Sequence, residues 1–304
     1  MQLDSESKQQ KDKGWRAPDD YFQQIVEGAW DMYCVLDPSG ELLYASRGYD
    51  RVVGFVPASV AQIMEHVDSE YRMDLRKLFL KALHIGSRGK LEFRCRRMEE
   101  SWIWMESVAI PVKKPDGSPE GVIVLTNEIT ARKQYEMKMT TLAYHDPLTG
   151  LPNRRLFREH LNQALMQSKR SGKTLALIYM DIDDFKVIND TMGHSTGDEF
   201  LRIFSKRIKG CLREIDMFAR MGGDEFTLIL PAVESTENAA VIAKRIYQSL
   251  GAEWEIEEHR FHATVSMGIA MVPDNGQEAA ILMKNVDFAL YDAKNSGGNH
   301  YRFY

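Results

Sequence analysis

Arg220-Met221-Gly222-Gly223-Asp224-Glu225-Phe226 is the stretch on which the reading of this chain turns. An apolar run, Thr227-Leu228-Ile229-Leu230, follows it, and a shorter one, Met217-Phe218-Ala219, precedes it. Two strand-like segments joined through a Gly-Gly pair predict a β-hairpin, because both glycines accept positive φ without a Cβ clash. A hairpin tip needs tight turning and polarity. It does not need two adjacent carboxylates opening the returning strand, so Asp224 and Glu225 are either surface acids of a solvated turn or part of a chemical site.

Working outward, Thr174-Leu175-Ala176-Leu177-Ile178-Tyr179-Met180 is a nearly continuous apolar run, as expected of a strand buried on both faces. It ends in Asp181-Ile182-Asp183-Asp184-Phe185-Lys186. Acids at the end of a buried strand are fixed by a rigid sheet yet open to solvent. A calcium loop does not fit, since Phe185 and Lys186 fall where a ligand and the obligatory Gly belong. Magnesium suits the pattern better, because it takes one or two protein carboxylates and fills its shell with water and phosphate oxygens. On a continuing strand Asp181 and Asp183 point one way and Ile182 the other; only one of the two acids need be a ligand.

Farther on stand Asn189-Asp190 and Gly193-His194-Ser195-Thr196-Gly197-Asp198. An Asn and an Asp together can pair with a guanine edge, the carboxylate accepting from N1–H and the exocyclic amine. Such a pocket rejects adenine, whose N1 offers the carboxylate no donor. Taken alone, Asn189 and Asp198 serve equally well as helix-capping residues. Before the first strand, His145-Asp146-Pro147-Leu148-Thr149-Gly150-Leu151-Pro152-Asn153 reads as a loop, with Asn153 capping a helix through Phe157, Leu161 and Leu165.

The chain has 304 residues, 44% of them hydrophobic and 27% charged, with a net charge of −5. That suggests two soluble domains and argues against a general nucleic-acid or anionic-membrane binder. No apolar run approaches the length that spans a bilayer, and the polar N-terminus lacks the core of a signal peptide. A cytoplasmic protein is expected. Cys34, Cys95 and Cys211 are widely spaced, which suggests reduced thiols rather than a disulfide framework or a zinc site.

Residues 1–17 form a polar lead-in, and Tyr21 to Val26 has the spacing of a short helix. Tyr33 to Leu36, the turn Asp37-Pro38-Ser39-Gly40, and Leu42 to Tyr44 read as strand, turn, strand. Helical patterns follow, notably Met73 to Leu83, and then strands at 90–97, 102–112 and 121–126. This α+β layout, with the closing Asn127-Glu128-Ile129-Thr130, resembles a PAS sensor domain over residues 18–130. The resemblance names no ligand; His66 invites a haem reading, but a lone His is more often structural. Residues 131–145 then read as a helical linker, with Tyr135, Met139 and Leu142 on one stripe suited to a coiled coil between two protomers.

From Asp146 to about Tyr301 the motifs together resemble the GGDEF-domain diguanylate cyclases: Asp-Pro-Leu-Thr-Gly-Leu-Pro-Asn-Arg, Asp-Ile-Asp-Asp-Phe-Lys, Asn-Asp, Gly-His-x-x-Gly-Asp and Gly-Gly-Asp-Glu-Phe. Thr264 to Ala270 and Tyr291-Asp292-Ala293-Lys294 continue the match. The resemblance implies that residues 146–304 form a nucleotidyl-cyclase-like, ferredoxin-like palm, a central sheet flanked by helices. It implies condensation of two GTP into cyclic di-GMP with release of pyrophosphate, by a homodimer. It implies that Asp181, Asp224 and the Ile182 carbonyl hold magnesium, with manganese able to substitute. Asn189 and Asp198 would read guanine, Lys186 and Lys294 would neutralise phosphate, and His194, Gly222 and Gly223 would border the nucleotide. Glu225 would assist in activating the ribose 3′-hydroxyl.

Arg213-Glu214-Ile215-Asp216 stands at the offset of the family's inhibitory product site, where a guanidinium fork can pair with phosphate or guanine. The competing reading is an i,i+3 surface ion pair. One departure lies at Gly298, where many relatives carry Arg or Lys; a missing phosphate contact there would weaken GTP binding. Two rival readings are a silent receptor for GTP or cyclic di-GMP, which an intact Gly222–Phe226 disfavours, and a PAS-driven scaffold. A cyclic di-GMP hydrolase is not expected, since no further catalytic domain fits after Lys294.

Overall fold

The computed structural model describes residues 29–304, so the helix expected at Tyr21–Val26 lies outside the described residues. The chain divides into two compact units, Met1–Met137 and Lys138–Tyr304.

In the first unit, β1 (Met32–Leu36) and β2 (Leu42–Ala45) form the hairpin expected around Asp37–Gly40. The Asp37 carboxylate accepts from the amides of Ser39 and Glu41 at 2.8 and 2.9 Å, which closes the turn. Three helices follow, α1 (Gly48–Val53), α2 (Val60–His66) and α3 (Ser69–Ile85), and then β3 (Gly89–Arg96), β4 (Trp102–Lys113) and β5 (Pro119–Glu128). The five strands run in the order β2-β1-β5-β4-β3, every neighbouring pair antiparallel. The alternation in β3 is realised: Phe93 and Cys95 are buried among Met32, Cys34, Tyr49, Ile103 and Met105. Helix α4 (Thr130–Tyr144) follows; Tyr135, Met139 and Leu142 on it are 62%, 42% and 45% exposed.

The second unit opens with the loop around Asp146 and α5 (Arg154–Ser171). Asn153 caps that helix as expected, its side-chain oxygen accepting from Arg155 N at 2.9 Å and Leu156 N at 3.2 Å. Then come β6 (Leu175–Ile182), α6 (Phe185–Met192), α7 (His194–Gly210), β7 (Met217–Gly222), β8 (Glu225–Pro231) and α8 (Thr236–Leu250). A small ribbon, β9 (Trp254–Ile256) with β10 (His259–Phe261), precedes β11 (Val265–Val272), α9 (Ala279–Asn295) and β12 (Tyr301–Phe303).

The main sheet has the order β12-β11-β6-β8-β7. Only β11 with β12 is parallel. Strands β6 and β11 are buried along their whole length because helices cover both faces, which is why their sequences are apolar runs rather than alternations. One face carries Phe200, Phe204, Phe226 and Trp254, with the Phe200 and Trp254 rings edge to face at 4.6 Å. The other packs Phe157 and Leu161 of α5 and Leu282 and Val286 of α9 against Leu177 and Tyr179. Burying each such side chain contributes about 1.5–3 kcal/mol.

Helix α9 lies so close to β11 that a Cβ at Gly268 would overlap the Val286 carbonyl oxygen and the Leu290 amide nitrogen. Both are backbone atoms, so no rotamer can relieve the clash. Gly268→Ala is therefore expected to cost at least about 3 kcal/mol, in the range of severe overpacking. Urea denaturation of the purified protein measures it.

Candidate functional site

The tip between β7 and β8 is two residues, Gly223 and Asp224, set off by a register shift between Arg220 and Gly222. Gly222 has φ +145° and Gly223 φ +53°, and among the described residues nothing beyond their chain neighbours lies within 4 Å of a Cβ placed on either. Backbone conformation, not crowding by the protein, is thus what calls for glycine here.

The tip does not hold itself. Arg220 donates from Nε and Nη2 to the Gly223 carbonyl at 2.9 and 2.7 Å, and from Nη1 to the Asp146 carboxylate at 2.9 Å. Asp146 also accepts from the Thr149 amide and hydroxyl at 2.8 and 2.7 Å. Burial by itself would raise the Asp146 pKa; the Thr149 donors and the Arg220 guanidinium overcome it and hold the carboxyl below the usual range. The Asp146–Arg220 link is invisible to spacing alone, because 74 residues separate the two. The signals present were the Asp-x-x-Thr turn pattern and an arginine two residues before the glycines.

Register brings the acids together. Asp181, at the end of β6, pairs with Glu225, the first residue of β8, and the Ile182 amide donates to the Asp224 carbonyl at 3.3 Å. Asp181 is 9% exposed, and Lys294 from the last turn of α9 places Nζ 2.7 Å from its Oδ1. Burial pushes the Asp181 carboxyl up to about 6; Lys294 lowers it, and the neighbouring Asp224 and Glu225 charges raise it. The Tyr179 hydroxyl, two residues back on β6, hydrogen-bonds Glu225.

A cavity of about 540 Å³ opens at this end of the sheet, lined by Asp181, Ile182, Lys186, Asp224 and Lys294 together with Asp183, Thr264 and Gly298. Asp181 and Asp224 offer hard carboxylate oxygens at the cavity, and a desolvated Asp181 beside the Asp224 charge is a place that favours a cation. The residues present therefore fit a hard divalent cation. Among the described residues no cluster of three His, Cys, Asp or Glu side chains forms a metal site.

Asp183 departs from the strand pattern. Strand β6 ends at Ile182, and the Asp183 carboxylate is taken up by three donors: Thr264 Oγ1 and Ser266 Oγ at 2.6 Å each and the Asn299 amide at 3.0 Å. It fixes the Gly297–Asn299 turn at the cavity rim. A Cβ at Gly298 would stand 3.4 Å from the Asp183 carboxyl.

Asn189 and Asp198 do not line this cavity. Asn189 sits in α6 with its amide oxygen against Gly197, where a Cβ would overlap it, and so lies beside the residue preceding Asp198 in α7. Phe185, which does line the cavity, also borders Gly197. The helix-capping alternative is not what forms: Gly193 occupies both the end of α6 and the start of α7, with no side-chain cap. His194 is exposed at the first position of α7. Arg213 and Asp216 lie in the turn before β7, where the Asp216 carboxylate accepts from the Arg213 backbone amide at 2.8 Å. No ion pair joins their side chains among the described residues, and the Arg213 guanidinium is exposed.

Residues 143–300 match the family model of the diguanylate cyclase GGDEF domain, and residues 42–126 match that of the PAS fold. Over 175 residues the chain is 39% identical to the bifunctional diguanylate cyclase/cyclic di-GMP phosphodiesterase MucR of Pseudomonas aeruginosa, a match covering 58% of this chain and 25% of that protein. The chain thus spans about a quarter of the length of that curated relative. Among solved structures, the GGDEF domain of TpbB from Pseudomonas aeruginosa superimposes with a TM-score of 0.52 at 37% identity, covering 53% of this chain and 94% of that one. The coiled coil and GGDEF domain of DgcB from Caulobacter crescentus, in complex with cyclic di-GMP, gives a TM-score of 0.53 at 29% identity, covering 58% of this chain and 93% of that one.

Proposed function

The chain belongs to the GGDEF family of diguanylate cyclases, and we propose that it condenses two GTP into cyclic di-GMP and two pyrophosphates under the control of its N-terminal PAS-like unit. The observation that carries this reading is the meeting of Asp181, Ile182, Asp224, Lys186 and Lys294 around one cavity. Attack on an α-phosphate concentrates negative charge, and cations placed beforehand stabilise it without reorganising. Magnesium, with manganese able to substitute, supplies that Lewis-acid charge when held by Asp181, Asp224 and the Ile182 carbonyl. Lys186 and Lys294 add fixed positive charge at the rim. Glu225, oriented by Tyr179, stands where it can accept the proton of a ribose 3′-hydroxyl. Asn189 and Asp198 read the guanine edge, and Asp198→Ala is accordingly a variant whose defect should sit in KM for GTP.

Each domain offers one such cavity, so two must face each other for each hydroxyl to reach the other's phosphate, which makes the working form a homodimer. The exposed stripe Tyr135, Met139 and Leu142 supports pairing through the linker helix. A signal at the PAS-like unit would then shift how often the cyclase domains meet productively. No helix among the described residues is long and apolar enough to cross a membrane, in keeping with cytoplasmic action on GTP. Pyrophosphate release measured with GTP, and then with ATP, in the presence of magnesium tests the reading: release with GTP alone is expected, and equal release with ATP contradicts the guanine assignment.

Product feedback belongs to the same proposal. The exposed Arg213 guanidinium, free of an internal ion pair with Asp216, is available to a phosphate or guanine edge. Arg213→Ala is expected to raise the cyclic di-GMP concentration needed for half-inhibition by about tenfold or more, the loss of one charge-assisted pair. Initial rates at graded product concentrations measure it.

A further inference from the structure

We propose that the cavity inside the N-terminal unit binds a medium-chain fatty acid, its chain among the core side chains and its carboxylate at Arg72 and Arg76. The cavity measures about 530 Å³, within the range of small-molecule sites. Its walls come from every layer of the unit: Met32 and Cys34 of β1, Phe93 and Met105 of β3 and β4, and Leu75 and Phe79 of α3.

The polar groups of the wall are already engaged with one another. Ser107 and Thr126 share a hydroxyl hydrogen bond of 2.6 Å, and Tyr49 bonds the Cys34 thiol. Burial pushes the thiols of Cys34 and Cys95 up to about 11, so neither is an anion at neutral pH. His66 is tied by Nδ1 to the Gln62 carbonyl at 3.0 Å, with its ring 4.4 Å from that of Phe55. That places it as a wall residue of the cavity.

Among the described residues no Asp or Glu lines the cavity, whereas two arginines do. Arg72 and Arg76 are four residues apart on α3 and so share one face, and both are exposed, which puts them at the mouth. Arg72 is braced by the Val67 and Glu65 carbonyls at 2.9 and 3.0 Å, which aims it without neutralising it. Arg76 makes no ion pair among the described residues. Two like charges at this spacing repel, and an arginine fork matches a carboxylate bidentately. An apolar interior closed by two uncompensated guanidinium groups selects an apolar chain with an anionic head; a neutral or cationic head gains nothing there.

The inference does not depend on the cyclase reading, and calorimetry on the full chain tests it with decanoate, decanol and vesicles of phosphatidylglycerol as probes. Decanoate is expected to bind one per chain, at least tenfold tighter than decanol, with affinity rising about fourfold per methylene from hexanoate upward. Arg76→Gln, an exposed change that the fold tolerates, should erase the preference for the acid. Decanoate should also slow alkylation of Cys34 and Cys95 in the wild type. Equal binding of decanol, no effect of Arg76→Gln, absence of decanoate binding, binding to vesicles without binding of free decanoate, or purified protein carrying haem or flavin in this unit would each overturn the proposal.

Discussion

Asp224→Ala is expected to lower cyclic di-GMP synthesis by about three orders of magnitude, with the melting temperature moving by no more than about 2 °C. The two halves of that expectation have separate causes. The activity loss follows from removing one of the two carboxylates that would hold the metal at the cavity. The unchanged stability follows from how Asp224 is built in: its backbone carbonyl receives the Ile182 amide, a bond that alanine keeps. Asp181→Ala should be as inactive yet behave differently on heating. Asp181 is buried and paired with Lys294, but it also carries a desolvation penalty, so its removal relieves one cost while releasing Lys294 to solvent. Steady-state rates with product quantified chromatographically, alongside thermal melts, separate the two variants.

Arg220→Ala is expected to damage both stability and activity. Its pair with Asp146 is mostly buried, with side-chain exposures of 10% and 18%. Breaking a buried pair from one side costs about 3–5 kcal/mol, and partial exposure here argues for about 2–3. For a unit of this size that is a fall in melting temperature of about 4–12 °C. The same change strips both donors from the Gly223 carbonyl, freeing the tip that presents Asp224. Arg220→Lys should not rescue it, since one ammonium cannot serve Asp146 and Gly223 from a planar fork. The pair also sets an acid dependence. The Asp146 carboxyl titrates below its unfolded value of about 3.9. Its stabilisation is therefore fully present above that pH and lost as pH falls through the folded pKa. Asp146→Asn should flatten that part of the stability profile in denaturation curves taken from pH 6 to pH 3.

What was legible in the sequence was whatever local chemistry dictates. The Gly222-Gly223 hairpin, the doubly buried strand before Asp181 and the Asn153 cap each follow from a short window of residues, and each is present. The antiparallel N-terminal sheet was legible from its turn residues. What was not legible depended on contacts between distant segments. Asp183 looked like a second acid on the strand, but the chain leaves the strand at Ile182, and Thr264, Ser266 and Asn299 claim the carboxylate. Arg220 gives no local sign of its partner, because Asp146 lies 74 residues away in the chain. The cavity of the N-terminal unit needs β1, β4 and α3 at once, so no window of sequence reveals that two arginines line it.

The most direct measurement is to incubate the purified full chain with GTP and magnesium and identify the products by mass spectrometry. The expected product is cyclic di-GMP, formed by the wild type and absent with Asp224→Ala. GTP left unconverted by a folded wild-type protein, or cyclic di-GMP formed equally by Asp224→Ala, would contradict it.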